Sequence, residues 1–275
     1  MTFQTIYLND MKQFLRNRWL VWFGVLFTLV ATSFLIFGGA NQEAYDGFHA
    51  NLASLLNVNL FLLPLVLFIM GAVSFSAEKE EGLLSLILTY PISYRGFVWA
   101  KMLSLTTAML LILCFSYGIA SIGGFVWGTS LSLDTMLIFF ILSIVLIVLL
   151  APLSILTGVL SKSKFHAMAI ALGLWAVLVL LYEFIFMGAI TFVSPAAMTP
   201  VLTLSVAINP VELVRVAAII MIDEGVSLGP SLYDFTAFIS NGAGAYLFLI
   251  SMIMWILAPM AISYWMMRGG KVHGE

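Results

Sequence analysis

The sequence has very little charge. Only 9% of its 275 residues are Asp, Glu, Lys or Arg, whereas a soluble domain carries about 25%. Hydrophobic residues make up 63% of the chain, and its mean hydropathy is +1.12. Because too few polar residues remain to cover a water-exposed surface, the composition excludes a soluble globular domain and indicates a protein that lies in the lipid bilayer.

The residues needed for several kinds of chemistry are also scarce. Cys114 is the single cysteine, so no disulfide can form within the chain. Neither a GxxxxGK[ST] phosphate loop nor an HExxH motif occurs, and the 15 methionines contain no MxxxM cluster along one helix face. We therefore expect no catalytic residue, no metal site and no bound cofactor in this chain. The basic residues are scattered between apolar runs, so no nucleic-acid partner is expected.

Long apolar runs account for most of the chain. A helix needs about 20 mainly apolar residues to cross the hydrocarbon core. We predict an all-α integral membrane protein with six transmembrane helices, at residues 19–37, 52–77, 98–126, 135–160, 167–193 and 243–267. Residues 19–275 would form this transmembrane domain.

The basic residues predict the orientation of the spans. Ten of the 11 Lys and Arg residues fall on one side of the six predicted spans, and Arg215 is the exception. Because cytoplasmic loops carry an excess of Lys and Arg, we expect both termini in the cytoplasm.

Residues 1–18 are predicted to form an amphipathic helix before the first span. One half of its helical wheel is apolar, with Phe3, Ile6, Tyr7, Met11, Phe14 and Leu15, and most polar residues lie opposite. This pattern favours a helix in the inner headgroup layer. An ordinary helix packed on the protein is the alternative.

The cytoplasmic loop 78–97 contains a short apolar helix between charged and turn-forming residues. Glu80 and Glu81 mark the exit from the membrane, Gly82 permits a bend, and Pro91 ends the short helix. Ser93 would cap the next helix. Residues 83–88, with Leu83, Leu84, Leu86 and Ile87, are too few to cross the bilayer and too apolar for water. They would lie against lipid, against the protein's own helices or in a partner's groove.

The loop 194–242 is predicted to be external and to hold helices packed over the mouth of the bundle. Asn209 would cap a helix that begins at Pro210, with Glu212 three residues after the cap. Arg215 would pair with Glu212 on the same helix face. Arg215 would then either only tether this helix or contact an external partner.

Glu183 is the one charge deep within a predicted span. Because a charge at the centre of a helix costs about 2.5–3.5 kcal/mol, its side chain should face the bundle interior or water. No basic residue lies within a predicted span at comparable depth, so no internal salt bridge is evident. Our hypothesis is that Glu183 lines a translocation path or the contact between two copies. The alternative is a neutral carboxyl bonded to a hydroxyl such as that of Tyr182.

These motifs resemble a known family. Residues 80–101, EEGLLSLILTYPISYRGFVWAK, are similar to the cytoplasmic signature of ABC-2-type permeases, in which Lys101 would be a characteristic lysine at the head of the third span. The segments LRNRW (15–19) and INPVELVR (208–215) are similar to NosY-like permeases, the membrane subunits of the ABC transporter that helps to mature nitrous oxide reductase.

The resemblance implies a fold, partners and site residues. The fold would be an ABC-2 permease of the type V exporter kind in a bacterial plasma (inner) membrane, working as a homodimer with two separate ATPase subunits that bind ATP and Mg. The ATPase-coupling residues would be Glu80, Glu81, Gly82, Leu83, Leu84, Leu86, Ile87, Pro91 and Lys101. The external segment, with Asn209, Pro210, Glu212 and Arg215, would contact an extracytoplasmic accessory protein of β-helix type.

The implied function is ATP-driven export or mechanical transmission for copper-site assembly in denitrification. The alternative within the family is an ABC-2 exporter of a hydrophobic compound or peptide. An intramembrane enzyme is a rival from another class, but it would need convergent catalytic groups such as HExxH. A proton-coupled secondary transporter would show paired broken helices in an inverted repeat, and the sequence shows none.

Overall fold

The computed structural model describes residues 3–38, 45–88, 90, 92–127, 133–194, 197–223 and 242–269, and these residues form helices without any strand. The helices are α1 (Phe3–Leu15), α2 (Arg18–Gly38), α3 (Tyr45–Glu80), α4 (Leu83–Leu88), α5 (Tyr94–Val126), α6 (Leu133–Leu160), α7 (Lys164–Trp175), a π-helical segment (Ala176–Leu181), α8 (Tyr182–Ile190), α9 (Met198–Ile208), α10 (Pro210–Asp223) and α11 (Gly242–Arg268).

The predicted helical membrane fold is confirmed. Within the described residues, five helices are each long and apolar enough to cross a bilayer, and one of them is the continuous rod formed by α7, the π-helical segment and α8. Two bent pairs pass the same test when taken together, α1 with α2 at 60° and α9 with α10 at 119°. The six predicted spans coincide with α2, α3, α5, α6, the rod and α11.

Close contact between α3 and α6 forms the centre of the bundle. Gly158 on α6 lies so near α3 that an added Cβ atom would be 2.6 Å from Phe75 Cβ and 2.9 Å from the Ala72 carbonyl oxygen. Small residues allow membrane helices to approach in this way and gain van der Waals contact.

Helix α1 packs on the protein rather than only on lipid. Ile6, Asp10 and Phe14, which are spaced four residues apart, are buried, and the helix lies along α5. The apolar face predicted to dip into the headgroup layer therefore contacts the bundle, as in the packed-helix alternative. The position of α1 at the membrane interface stays a prediction.

The pair α9–α10 does not lie over the mouth of the bundle, so that prediction needs correction. The Asn209 side-chain Nδ2 donates to the Leu178 carbonyl oxygen at 2.7 Å, and Trp255 Nε1 donates to the Ala207 carbonyl oxygen at 3.0 Å. Leu178 lies 14 residues after Lys164 in a rod of 27 residues, which is about 21 Å along its axis. The corner between α9 and α10 thus reaches the middle of the fifth span. The hydrogen bonds made by the Asn209 and Trp255 side chains hold it there.

Candidate coupling surface and two charge clusters

The chain reverses direction at Gly82 and enters α4. Gly82 has a φ of +73°, in the left-handed region that glycine adopts without strain. A Cβ atom at this position would meet nothing within 4 Å, so the backbone conformation, rather than lack of space, requires glycine. The predicted bend, the predicted short helix and the Ser93 cap are all confirmed, the cap by the Gly96 backbone N–H, which donates to Ser93 Oγ at 3.1 Å. Pro91, the predicted terminator, lies outside the described residues.

Helix α4 has an inward and an outward side. Leu84 is buried in the core and Ile87 packs against it. Leu83 and Leu86 are 42% and 57% exposed. The apolar helix therefore contacts the protein's own helices with one side and presents leucines on the other. Leu84 was predicted among the coupling residues, but its side chain points into the bundle, so its contact is internal.

Glu80 and Glu81 connect the end of α3 to the start of α7. The Lys164 backbone N–H donates to Glu80 Oε2 at 2.8 Å, and Lys164 Nζ donates to Glu81 Oε1 at 2.7 Å. A carboxylate at a helix N-terminus is stabilised by the helix dipole. Lys79 Nζ adds a bond to the Ser161 carbonyl oxygen at 3.1 Å. The acidic cluster predicted to mark the membrane exit thus ties α3 to the junction between α6 and α7.

Lys101 lies inside the protein, in a cluster that we call the inner charge triad: Asp10, Glu78 and Lys101. Its Nζ is 2.9 Å from Asp10 Oδ2 and donates to Glu78 Oε1. The three side chains are 5%, 9% and 1% exposed, respectively. The triad joins α1, α3 and α5. Lys101 was predicted among the ATPase-coupling residues, but its ammonium group is buried and can act on a partner only through the helices it joins.

Sequence reasoning missed Asp10 and Glu78. The available signal was an acidic residue on the otherwise apolar face of α1, since Asp10 falls between Ile6 and Phe14 at helical spacing.

The inner charge triad holds two carboxyls and one ammonium. Burial raises the pKa of the Asp10 carboxyl above its ordinary value, because desolvation outweighs the opposing attraction of Lys101.

A second cluster, the outer charge triad, consists of Glu183, Glu212 and Arg215. Arg215 Nη1 is 2.6 Å from Glu183 Oε1, and Arg215 Nε is 3.6 Å from Glu212 Oε1. The predicted pairing of Arg215 with Glu212 is confirmed. No internal salt bridge at Glu183 was evident from the sequence, but one forms, because the inserted corner of α9–α10 carries Arg215 alongside the fifth span. Arg215 and Glu212 are largely buried, whereas the Glu183 side chain is half-exposed.

Asn209 secures both the corner and the π-helical segment. Its Oδ1 accepts a hydrogen bond from the Val211 backbone N–H at 2.9 Å, which confirms the predicted cap, and α10 begins at Pro210 as predicted. Its Nδ2 bonds to the carbonyl of Leu178, which lies within the π-helical segment. Such segments are frequent at functional sites and depart from the regular helical hydrogen-bond ladder.

The predicted external contact residues are buried among the chain's own helices or bonded to them. Asn209 and Pro210 are buried, and Glu212 and Arg215 belong to the outer charge triad. The Tyr182 hydroxyl, offered as an alternative partner for Glu183, instead donates to the Ser205 carbonyl oxygen at 2.6 Å. A contact of these four residues with an external protein stays a prediction. Within the described ranges, no group of three or more His, Cys, Asp or Glu residues could hold a metal ion.

Residues 4–268 match the family described as ABC-2 family transporter protein. Two relatives carry the name probable ABC transporter permease protein NosY. The protein from Pseudomonas aeruginosa is 26% identical over 273 residues, which cover 96% of this chain and 97% of the relative. The protein from Stutzerimonas stutzeri is 26% identical over 215 residues, which cover 75% and 77%, respectively.

The chain belongs to the ABC-2 family of transporter proteins and is a multi-pass membrane permease subunit of an ABC transporter. Membership implies ATPase subunits as partners, and the membrane subunits of this family are generally non-catalytic.

Proposed function

We propose that this ABC-2 permease binds a separate cytoplasmic ATPase through the outward side of α4 and transmits the movement of the ATPase to its spans. The observation that carries the proposal is the exposure of Leu83 and Leu86 on a helix whose opposite side is packed on the bundle. Helix α4 has six residues and follows directly after the charged end of α3. It therefore lies at the edge of the membrane, where a protein groove is the suitable cover for exposed leucines.

The contacts around α4 supply a route for the movement. Gly82 joins α4 to α3, and Leu84 fixes it to the core. At the same end of α3, Lys164 holds Glu80 and Glu81 against the start of the fifth span. The inner charge triad connects α3 to α1 and α5. A displacement of α4 would thus act on the first, second, third and fifth spans together.

Replacing Leu86 by arginine tests the coupling surface. Burying a leucine side chain contributes about 1.5–3 kcal/mol, so Leu86→Arg should weaken ATPase binding by at least about tenfold. The measurement is the amount of ATPase that co-purifies with tagged permease from membranes. Leu84→Arg is unsuitable, because Leu84 is buried and its replacement would disturb packing.

Phe165→Arg is the matched control. Phe165 is a large apolar residue that is 85% exposed near the start of α7, outside α4. This variant should retain the ATPase. If Leu86→Arg permease carried the ATPase at normal stoichiometry, α4 would not be the docking element, and an orientation that places α4 outside the cell would give the same result.

We further propose that two copies assemble in a bacterial inner membrane with cytoplasmic termini. No residue of α8 is buried within one chain, and Phe184 and Met187 are strongly exposed there. The half-exposed Glu183 lies on the same helix. A second copy covering this helix would remove a carboxylate from lipid. The mass of the purified permease–ATPase complex tests this, and a single permease chain per complex would contradict it.

The similarity to two NosY permeases supports a role in assembling the copper sites of nitrous oxide reductase. The subunit would export a compound or transmit movement to an extracytoplasmic accessory protein of β-helix type. Deleting this chain in its host should yield nitrous oxide reductase without its copper–sulfur absorption bands. A fully loaded enzyme from the deletion strain would instead favour the alternative, an ABC-2 exporter of a hydrophobic compound or peptide.

A further inference from the structure

A cleft of about 340 Å³ lies between the first turns of α5 and the last turns of α11. Arg95 and Trp99 line it on α5, and Leu257, Ala261 and Tyr264 line it on α11. These residues follow helical spacing on each side, so two helix faces form the walls. The volume lies within the range of small-molecule sites.

The cleft has a charged mouth and an apolar floor. Arg95 is the second residue of α5, and Tyr264 lies four residues before the end of α11. Leu257 lies seven residues before Tyr264, which places it about 10 Å deeper along the axis. The cleft therefore runs from the ends of two spans, where headgroups lie, into the hydrocarbon region. This geometry suits a ligand with a charged end and an apolar end.

The Arg95 guanidinium is positioned but not neutralised. Its Cζ lies 4.9 Å from the centroid of the Tyr264 ring, a cation–π contact that orients the planar group. No carboxylate forms an ion pair with it in the part of the chain that the structure describes. A guanidinium with free donor edges binds phosphate through two parallel hydrogen bonds. The mouth is thus chemically complementary to a phosphate group.

We propose that this cleft binds one anionic phospholipid of the adjacent leaflet, which is the cytoplasmic leaflet in the proposed orientation. The phosphate would bond to Arg95, and an acyl chain would lie along Ala261 and Leu257. A second cation, Arg268, follows Tyr264 by four residues on α11 and borders a separate depression together with Trp265. These two guanidinium groups, one at the start of α5 and one at the end of α11, attract a lipid with net negative charge and disfavour the extra ammonium of a zwitterionic headgroup. Trp99 suits the same depth, because tryptophan concentrates at the membrane interface.

Native mass spectrometry of the purified permease, with added phosphatidylglycerol or phosphatidylcholine, tests the site. The wild type should retain one phosphatidylglycerol in preference to phosphatidylcholine. Arg95→Gln should lower that retention about fivefold, the effect of about 1 kcal/mol per basic residue. Ala261→Phe, which keeps Arg95 and fills the floor, should lower it as well. Arg18→Gln, an exposed arginine at the start of α2, should leave it unchanged.

Several results would overturn the proposal. Equal retention of the two lipids, or unchanged retention by Arg95→Gln, would remove the anionic specificity. Full retention by Ala261→Phe, or displacement by inorganic phosphate, would indicate a site for free phosphate rather than for a lipid. If Trp99→Cys, in a Cys114→Ser background, crosslinked to a second copy or to the ATPase, then protein rather than lipid would cover the cleft.

Discussion

Replacing Lys101 by methionine should separate a buried structural role from direct contact with the ATPase. Methionine keeps much of the length of the side chain but removes its charge, and so leaves Asp10 and Glu78 as two facing carboxyls. All three side chains of the inner charge triad are less than 10% exposed, with values of 1%, 5% and 9%. Water therefore cannot take the place of the lost ammonium group.

The expected cost is large. Removing one partner from a buried ion pair destabilises a protein by about 3–5 kcal/mol, which is more than a hundredfold in the ratio of folded to unfolded protein. Removing all three charges, in the variant Lys101→Met with Asp10→Asn and Glu78→Gln, should restore most of the loss, because neutral replacements of buried ion pairs are often tolerated. Lys12→Met, an exposed lysine on α1, should change the free energy of unfolding by no more than about 0.5 kcal/mol.

Two assays check this reasoning. Unfolding in mixed micelles, followed by circular dichroism, gives the stability of each variant. Ile6 is buried where α1 packs on the bundle. The variant Ile6→Cys, in a Cys114→Ser background, therefore reports the detachment of α1 through labelling of the new cysteine. It should resist labelling when Lys101 is present and react in Lys101→Met. Unchanged unfolding with a still-protected cysteine, together with loss of the ATPase, would refute the buried-triad explanation and support direct contact.

Two further predictions concern the outer charge triad and the packing of α3 on α6. Arg215→Gln should lower the free energy of unfolding by about 3 kcal/mol or more, because it leaves two carboxyls without their base. Glu183→Gln should lower it by about 1 kcal/mol. Equal unfolding midpoints for the two variants would contradict the pairing, and unchanged transport by Glu183→Gln would remove Glu183 from the mechanism. Gly158→Ala should lower stability by about 1–3 kcal/mol through overpacking against α3, and the same unfolding assay should show no loss for Gly173→Ala, whose Cβ meets nothing within 4 Å.

Local signals predicted the coupling loop well. The bend at Gly82 and the cap at Ser93 depend on backbone conformation and on short hydrogen bonds within a few residues. Such features follow from residue type at a position. The two sides of α4 did not follow, because residues 83–88 are almost uniformly apolar, and only the neighbouring helices decide that Leu84 faces inward while Leu86 faces outward.

Charge pairing could not be predicted where the partners are distant in sequence. Lys101 and Asp10 are separated by 91 positions, and Arg215 and Glu183 by 32. Their meeting depends on how α1 packs on α5 and on how deeply the corner at Asn209 enters the bundle. Placing α9–α10 outside the membrane removed Arg215 from consideration as a partner for Glu183.

The sequence by itself determined that this protein is a bundle of membrane-spanning helices, because about 20 consecutive apolar residues have no stable place in water. It also determined the helix ends at which glycine, serine, asparagine or proline satisfies a local backbone requirement. Only the tertiary structure decided which charges are buried together, because the cost of a charge in a membrane protein depends on what stands opposite to it. The packing of other helices brings two carboxyls to Lys101, and it brings Glu183 to Arg215, which already pairs with Glu212 on its own helix.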